Sequence, residues 1–213
     1  MKLQRASIEG YKRHTVDYLL IRQEETSSRL AVVLPGAGYT AQAPLLHFAT
    51  DIYLQKGYDV LNVNYRYNDS FYDDFTMEEL SDAIRFDVGA VIDAVTVDAS
   101  YEKFCLIGKS LGTIAMASEL KRPMYQGAKA VWLTPLIKRP DVFEAMHTFP
   151  HQALGFIGDK DPIYDAGLYN QLEANPQLDL RLVPGTDHSL ELPGKPIASI
   201  EILKEIMAEI EKF

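Results

Sequence analysis

The sequence predicts an α/β fold: a mostly parallel central sheet with helices on both faces. Two observations carry this. Short, wholly apolar runs alternate with longer stretches of helical period, and breaker residues fall between them. In addition, no internal repeat, low-complexity tract or Pro/Gly/Ser linker divides the 213 residues, so residues 1–213 read as one domain.

Residues 16–21 read as an early strand. Residues 30–34 are continuously apolar, as in a strand covered on both faces. They end at Pro35-Gly36-Ala37-Gly38, a breaker cluster. Residues 43–56 carry Leu46 and Ile52 at helical spacing, with Gly57 as the stop. Residues 58–63 form the next strand. A polar and aromatic loop, 64–75, follows. Thr76 and Glu79 then make a capping box for a helix whose face is Leu80, Ile84, Val88, Val91 and Val95. Residues 104–107 are another apolar strand and 110–120 a helix of small residues. Strand 128–133, a short helix at 141–146, strand 153–157, helix 166–174 and an alternating edge strand 178–183 complete the pattern. Pro196 opens a closing helix with Ile200, Leu203, Met207 and Ile210 on one side.

Composition narrows the function classes. The formal net charge of −9 disfavours nucleic acid and anionic membrane surfaces as partners. Hydrophobic residues make up 47%, enough for a sizeable core. The single cysteine, Cys105, excludes an intrachain disulfide. Gln4, Arg5, Ser7 and Glu9 interrupt any apolar run that a signal peptide would need. A cytoplasmic location is therefore the default expectation. No His/Cys/Asp/Glu cluster has metal-ligand spacing, so no metal or cofactor is expected.

The chemistry-bearing motif is Gly108-Lys109-Ser110-Leu111-Gly112, a G-x-S-x-G segment. The bare pattern is weak. Its context is stronger, because it joins an apolar strand directly to a helix, where such a serine is lifted above the sheet edge. The helix N-terminus beside it favours developing negative charge. A phosphate loop is disfavoured, since the earlier glycine of G-x-x-x-x-G-K-[ST] is missing. The plain alternative is a tight turn whose serine caps the helix.

In element order and in these motifs, nearly the whole chain resembles the α/β-hydrolase superfamily. The resemblance implies a triad in the order Ser, Asp or Glu, His. Of the five histidines, only His188 follows a plausible acid. It stands in Pro184-Gly185-Thr186-Asp187-His188-Ser189, past the last strand. His151 begins a strand and belongs at the opposite edge, His47 reads as a half-buried packing residue, and His14 as surface. The family's G-x-x-D-P acid maps onto Asp161 in Gly158-Asp159-Lys160-Asp161-Pro162, with Asp159 as the rival. The oxyanion donors would be the backbone N–H groups of Leu111 and, by position, Ala37. Here the family usually has His-Gly and this chain has Pro35-Gly36.

The interval 134–150 is too short for a cap domain, so the site should be open. Tyr39, Lys109, Tyr67 and Leu136 are candidates for substrate contact. Lys109 either meets a negative group of the substrate or lies in solvent. Trp132 lines the acyl side or packs in the core. Loop 65–75 is either an acidic, aromatic pocket wall or an exposed loop with anchoring aromatics. The resemblance implies a small, uncapped serine esterase or thioesterase acting on a small acyl compound. The competing readings are a non-catalytic binding or regulatory protein on the same fold, and other triad chemistry: C–C hydrolase, peptidase, lyase or perhydrolase.

Overall fold

In a computed structural model describing residues 1–213, the chain runs through fourteen principal elements. They are β1 (Lys2–Glu9), β2 (Thr15–Arg22), β3 (Arg29–Leu34), α1 (Pro44–Gln55), β4 (Asp59–Asn64), α2 (Met77–Thr96) and β5 (Lys103–Lys109). Then come α3 (Gly112–Glu119), β6 (Lys129–Leu133), α4 (Pro140–Thr148), β7 (Ala153–Gly158), α5 (Ala166–Leu172), β8 (Leu178–Val183) and α6 (Pro196–Lys212). The eight strands form one sheet in the order β1-β2-β4-β3-β5-β6-β7-β8. From β4 to β8 every neighbouring pair is parallel, while β1–β2 and β2–β4 are antiparallel.

Strand periodicity builds two cores. Leu30, Val32 and Leu34 of β3 and Phe104 and Leu106 of β5 face one side, with α2 and α3. Ala31, Val33, Cys105 and Ile107 face the other, with α1 and α6. This two-sided burial explains why β3 and β5 are apolar at nearly every position. Each Val or Leu so enclosed contributes about 1.5–3 kcal/mol by leaving water.

The order of strands decides where a ligand can sit. From β3 the chain moves to β4 on one side, then returns to β5 on the other. The loops after β3 and β5 therefore lie side by side at the sheet's C-terminal edge, at the switch in strand order where open α/β sheets place their ligands.

Four details differ from expectation. Strand β1 has no apolar period, because its side chains are largely exposed; it forms through an antiparallel ladder running from Lys2 opposite Arg22 to Glu9 opposite Thr15. As an edge strand it carries charges that discourage further pairing. On α6 the buried stripe is rotated, with Ser199, Ile206 and Ile210 inside and Ile200 left 57% exposed. His47 is exposed and lies 3.7 Å from Asp51 one helical turn on, so it is not a packing residue. The Thr76 hydroxyl does cap α2 by accepting from Glu79 N at 3.1 Å, but the Glu79 carboxylate pairs with Lys12 instead of closing the box.

Candidate active site

Strand β5 delivers Ser110 to this edge. Its φ of 51° lies in the left-handed region, which strains any residue with a side chain. Neighbouring groups hold it there. Ser110 N donates to Leu133 O at 3.1 Å, and Thr113 donates to Ser110 O through N at 2.9 Å and Oγ1 at 2.6 Å. The loop after β3 passes beside it, since a Cβ on Gly36 would lie 3.2 Å from the Ser110 Cβ.

The loops after β7 and β8 supply the partners. They lie so close that a Cβ on Gly158 would sit 2.1 Å from Thr186 O, an approach open only to glycine. Lys160 N donates to Thr186 O at 3.0 Å and Gly185 N donates to Asp159 Oδ1 at 2.6 Å. These bonds fasten one loop to the other. Across them, His188 Nδ1 lies 2.7 Å from Asp161 Oδ2 and His188 Nε2 lies 2.8 Å from Ser110 Oγ. The Asp161 side chain is fully buried, and its Oδ1 accepts from Ile163 N at 2.8 Å. With the Asp161 carboxylate accepting, Nδ1 carries the proton and Nε2 turns its lone pair to the Ser110 hydroxyl. The alternative acid, Asp159, is occupied with Gly185 and faces Lys160 at 3.8 Å.

Ala37 follows Gly36 on the loop after β3, and Leu111 follows Ser110 directly. Neither backbone N–H donates to a protein acceptor. Both are therefore free to meet an anionic oxygen. The loop after β3 is also braced by the Tyr65 hydroxyl, which donates to Pro35 O.

The four candidate contact residues turn out differently. Lys109 is only 2% exposed, so it does not lie in solvent. Its Nζ donates to His188 O at 2.9 Å and to Thr134 Oγ1 at 3.2 Å. Burial pushes it down from the usual 10.5 to about 8. The Tyr39 ring covers that ammonium, 4.4 Å from its centroid, while the Tyr39 hydroxyl accepts from Leu45 N at 3.0 Å. Tyr67 is buried, donates to Asp87 Oδ2 at 2.9 Å and stacks on Tyr65. It is a core residue because the aromatic side chains of loop 65–75 turn inward and pack on one another. Leu136 is 9% exposed and belongs mainly to the core, as does fully buried Trp132.

Thr134 went unrecognised in the sequence. It follows β6 directly at the same sheet edge, adopts φ of 43° and holds the Lys109 ammonium. Its place after a strand was the available signal. The site itself is open: His188 keeps a third of its side chain exposed, and α4, the one helix between β6 and β7, buries Val142, Ala145 and Met146 in the core.

No protein-family model matches the sequence, and no curated protein matches it. Solved structures do resemble it. A serine hydrolase without a lid from Xanthomonas campestris is 20% identical, with 99% of this chain and 93% of that one covered at a TM-score of 0.70. A serine hydrolase homologue from Coxiella burnetii is 14% identical, with 98% and 96% covered and a TM-score of 0.70. An esterase from Pyrococcus furiosus is 14% identical, with 100% and 93% covered and a TM-score of 0.71. At these identities the likeness establishes the fold: this is an α/β-hydrolase fold without a lid.

Proposed function

We propose that the protein is a serine hydrolase that cleaves a small ester or thioester through an acyl-enzyme at Ser110. One observation carries the reading. Three separate loops bring Ser110 Oγ, the His188 ring and the Asp161 carboxylate into a continuous hydrogen-bonded chain, with contacts of 2.8 and 2.7 Å.

In the first half-reaction His188 Nε2 takes the hydroxyl proton as Ser110 Oγ attacks the acyl carbon. Asp161 holds the ring and stabilises the imidazolium. The N–H groups of Leu111 and Ala37 donate to the oxyanion of the tetrahedral intermediate; each such donor contributes about 10²–10³ in rate in comparable sites. The intermediate collapses, the bond to the alcohol or thiol breaks, and His188 returns its proton to that leaving group. In the second half-reaction His188 takes a proton from water, which attacks the acyl-enzyme. Ser110 is restored and the carboxylic acid leaves. The proposed partner is a small acyl compound, in keeping with an open site and no cap.

A fluorophosphonate probe tests the reading. The expected result is labelling of the native protein and none of the Ser110→Ala variant. A native protein that takes no label, or a variant that labels equally, would sink the hydrolase reading and favour a binding protein on this fold. Labelling without turnover across a panel of acyl esters and thioesters would instead direct attention to the other triad chemistries.

The two aspartates should separate cleanly. Asp161→Asn is expected to lower kcat by about 10³–10⁴, because the amide cannot hold the imidazole in the required tautomer without presenting a donor to it. Asp159→Asn keeps an oxygen for Gly185 N and should leave kcat within the same order of magnitude. The reverse ranking in steady-state assays would transfer the role to Asp159.

A further inference from the structure

Lys109 is a buried cation that the mechanism above does not use. Nothing in its surroundings repays its burial with a contacting carboxylate. No Asp or Glu oxygen lies within 4.0 Å of Nζ. Its neighbours are two neutral oxygens and an aromatic face. An apolar side chain of similar length would fill this space at lower cost in stability, because a desolvated charge without a partner is expensive.

The contacts suggest what the charge does. Each comes from a different loop of the site. Lys109 itself immediately precedes Ser110. The His188 carbonyl belongs to the loop carrying the base, and Tyr39 to the loop carrying Ala37. Thr134 ends the adjacent strand. Asp161 and Ser110 hold the His188 ring, but the backbone of His188 is held by Lys109.

We propose that Lys109 is the positioning residue of this site: its ammonium ties the base-bearing loop to the oxyanion loop behind the nucleophile, and the site is fully competent only while that ammonium is charged. The inference rests on the serine hydrolase reading. The charged and titratable groups facing Lys109 are Asp161 on the loop after β7, Asp187, His188 and Glu191 on the loop after β8, and Tyr39 on the loop after β3. Burial lowers the Lys109 ammonium to about 8, while the three carboxylates oppose that shift. Burial also raises the Tyr39 phenol to about 12, so it stays neutral across the relevant range.

A neutral amine can still donate to both oxygens, but it loses the attraction to the Tyr39 ring and the charge that strengthens both bonds, so loss of the proton should slacken the site without unfolding it. Between pH 8 and 10.5 the unfolded chain keeps a proton on Lys109 that the folded chain has lost. The unfolded state binds more protons there, so this group's contribution to stability rises with pH while activity falls. A melting curve can separate the two effects.

The experiment measures the rate at which a fluorophosphonate probe labels Ser110 from pH 6.5 to 10.5. Native protein should label fastest on the neutral side and lose at least about tenfold through an apparent pKa near 8. Lys109→Met should label about 10- to 100-fold more slowly at pH 7, the order expected when a reacting group is displaced by about 1 Å, and show no step near 8. Lys109→Arg, which keeps its charge throughout, should recover part of the rate and also lack the step. A native rate that stays flat or rises through pH 8, or a Lys109→Met rate equal to the native one, would overturn the positioning role while leaving the hydrolase reading intact. No labelling of native protein at any pH would remove both. The native profile decides the matter even if a variant fails to fold.

Discussion

His188→Ala is expected to lose about 10⁴- to 10⁶-fold in kcat on any acyl ester the native protein turns over. The size follows from the roles concentrated in one ring. Nε2, 2.8 Å from Ser110 Oγ, is placed to remove the nucleophile's proton and later to protonate the leaving group. Without it, a serine hydroxyl must attack at its own very high pKa. The remaining rate would come from the Leu111 and Ala37 donors and from binding alone. Because Asp161 is buried and its Oδ2 meets only His188 among side chains, the variant leaves a carboxylate facing an empty space. That space is reachable, since a third of the His188 side chain is exposed. Added imidazole should therefore restore part of the activity, whereas a misfolded variant would not respond. A kcat within tenfold of native would exclude His188 as the base.

Much of this site is legible in the residues because its supports are local. Apolar runs mark β3 and β5 wherever both faces are covered, and the two glycines around Ser110 stand at a strand end. Asp161 and His188 follow later strand ends, and parallel strands bring all such ends to one edge. Less legible is which aspartate faces the histidine. Asp159 and Asp161 lie two residues apart and share a loop, and only the folded loops show Asp161 against His188 Nδ1 and Asp159 turned to Gly185 N.

Lys109 shows how much can hang on the last two residues of a strand. A strand ended at residue 107 leaves Lys109 in a loop, free to face water. The strand in fact continues, with Lys109 in register with Leu133. Strand alternation then puts Lys109 on the face of Cys105 and Ile107, which is closed by α1 and α6. Tyr67 illustrates the opposite limit. Nothing in the spacing of loop 65–75 tells that its aromatic rings cluster inward around Asp87, 76 residues after Tyr11, whose N–H the same carboxylate accepts. Strand β1 depends likewise on a partner and not on its own pattern.

Gly112→Ala is expected to damage folding and catalysis together. A Cβ at this position would lie 2.1 Å from Leu34 O, 2.6 Å from Leu34 C and 2.8 Å from Pro35 O. These are backbone atoms, so no rotamer change relieves the clash. Leu34 cannot withdraw, because β3 is bound on both sides and Leu34 is in register with Gly108. Nor can α3 retreat easily, with Ala115 and Met116 fully buried behind it. Something must move by about 1 Å, and such overpacking of a fixed core costs about 3 kcal/mol or more. For a chain of this size that corresponds to a Tm lower by roughly 6–12 °C. The same displacement widens the gap between the strand leading to Ala37 and the helix beginning beside Leu111. On the proposed hydrolase reading these two N–H groups hold the oxyanion together, so kcat should fall about 100-fold in whatever fraction remains folded. Gly38→Ala is the control, since a Cβ there meets nothing within 4 Å. Its Tm should stay level or rise slightly. Thermal melts of both variants with parallel ester assays check the argument. A Gly112→Ala protein that melts with the native one and keeps its kcat would mean that α3 does not press on β3 as described, and the strained turn at Ser110 would need another cause.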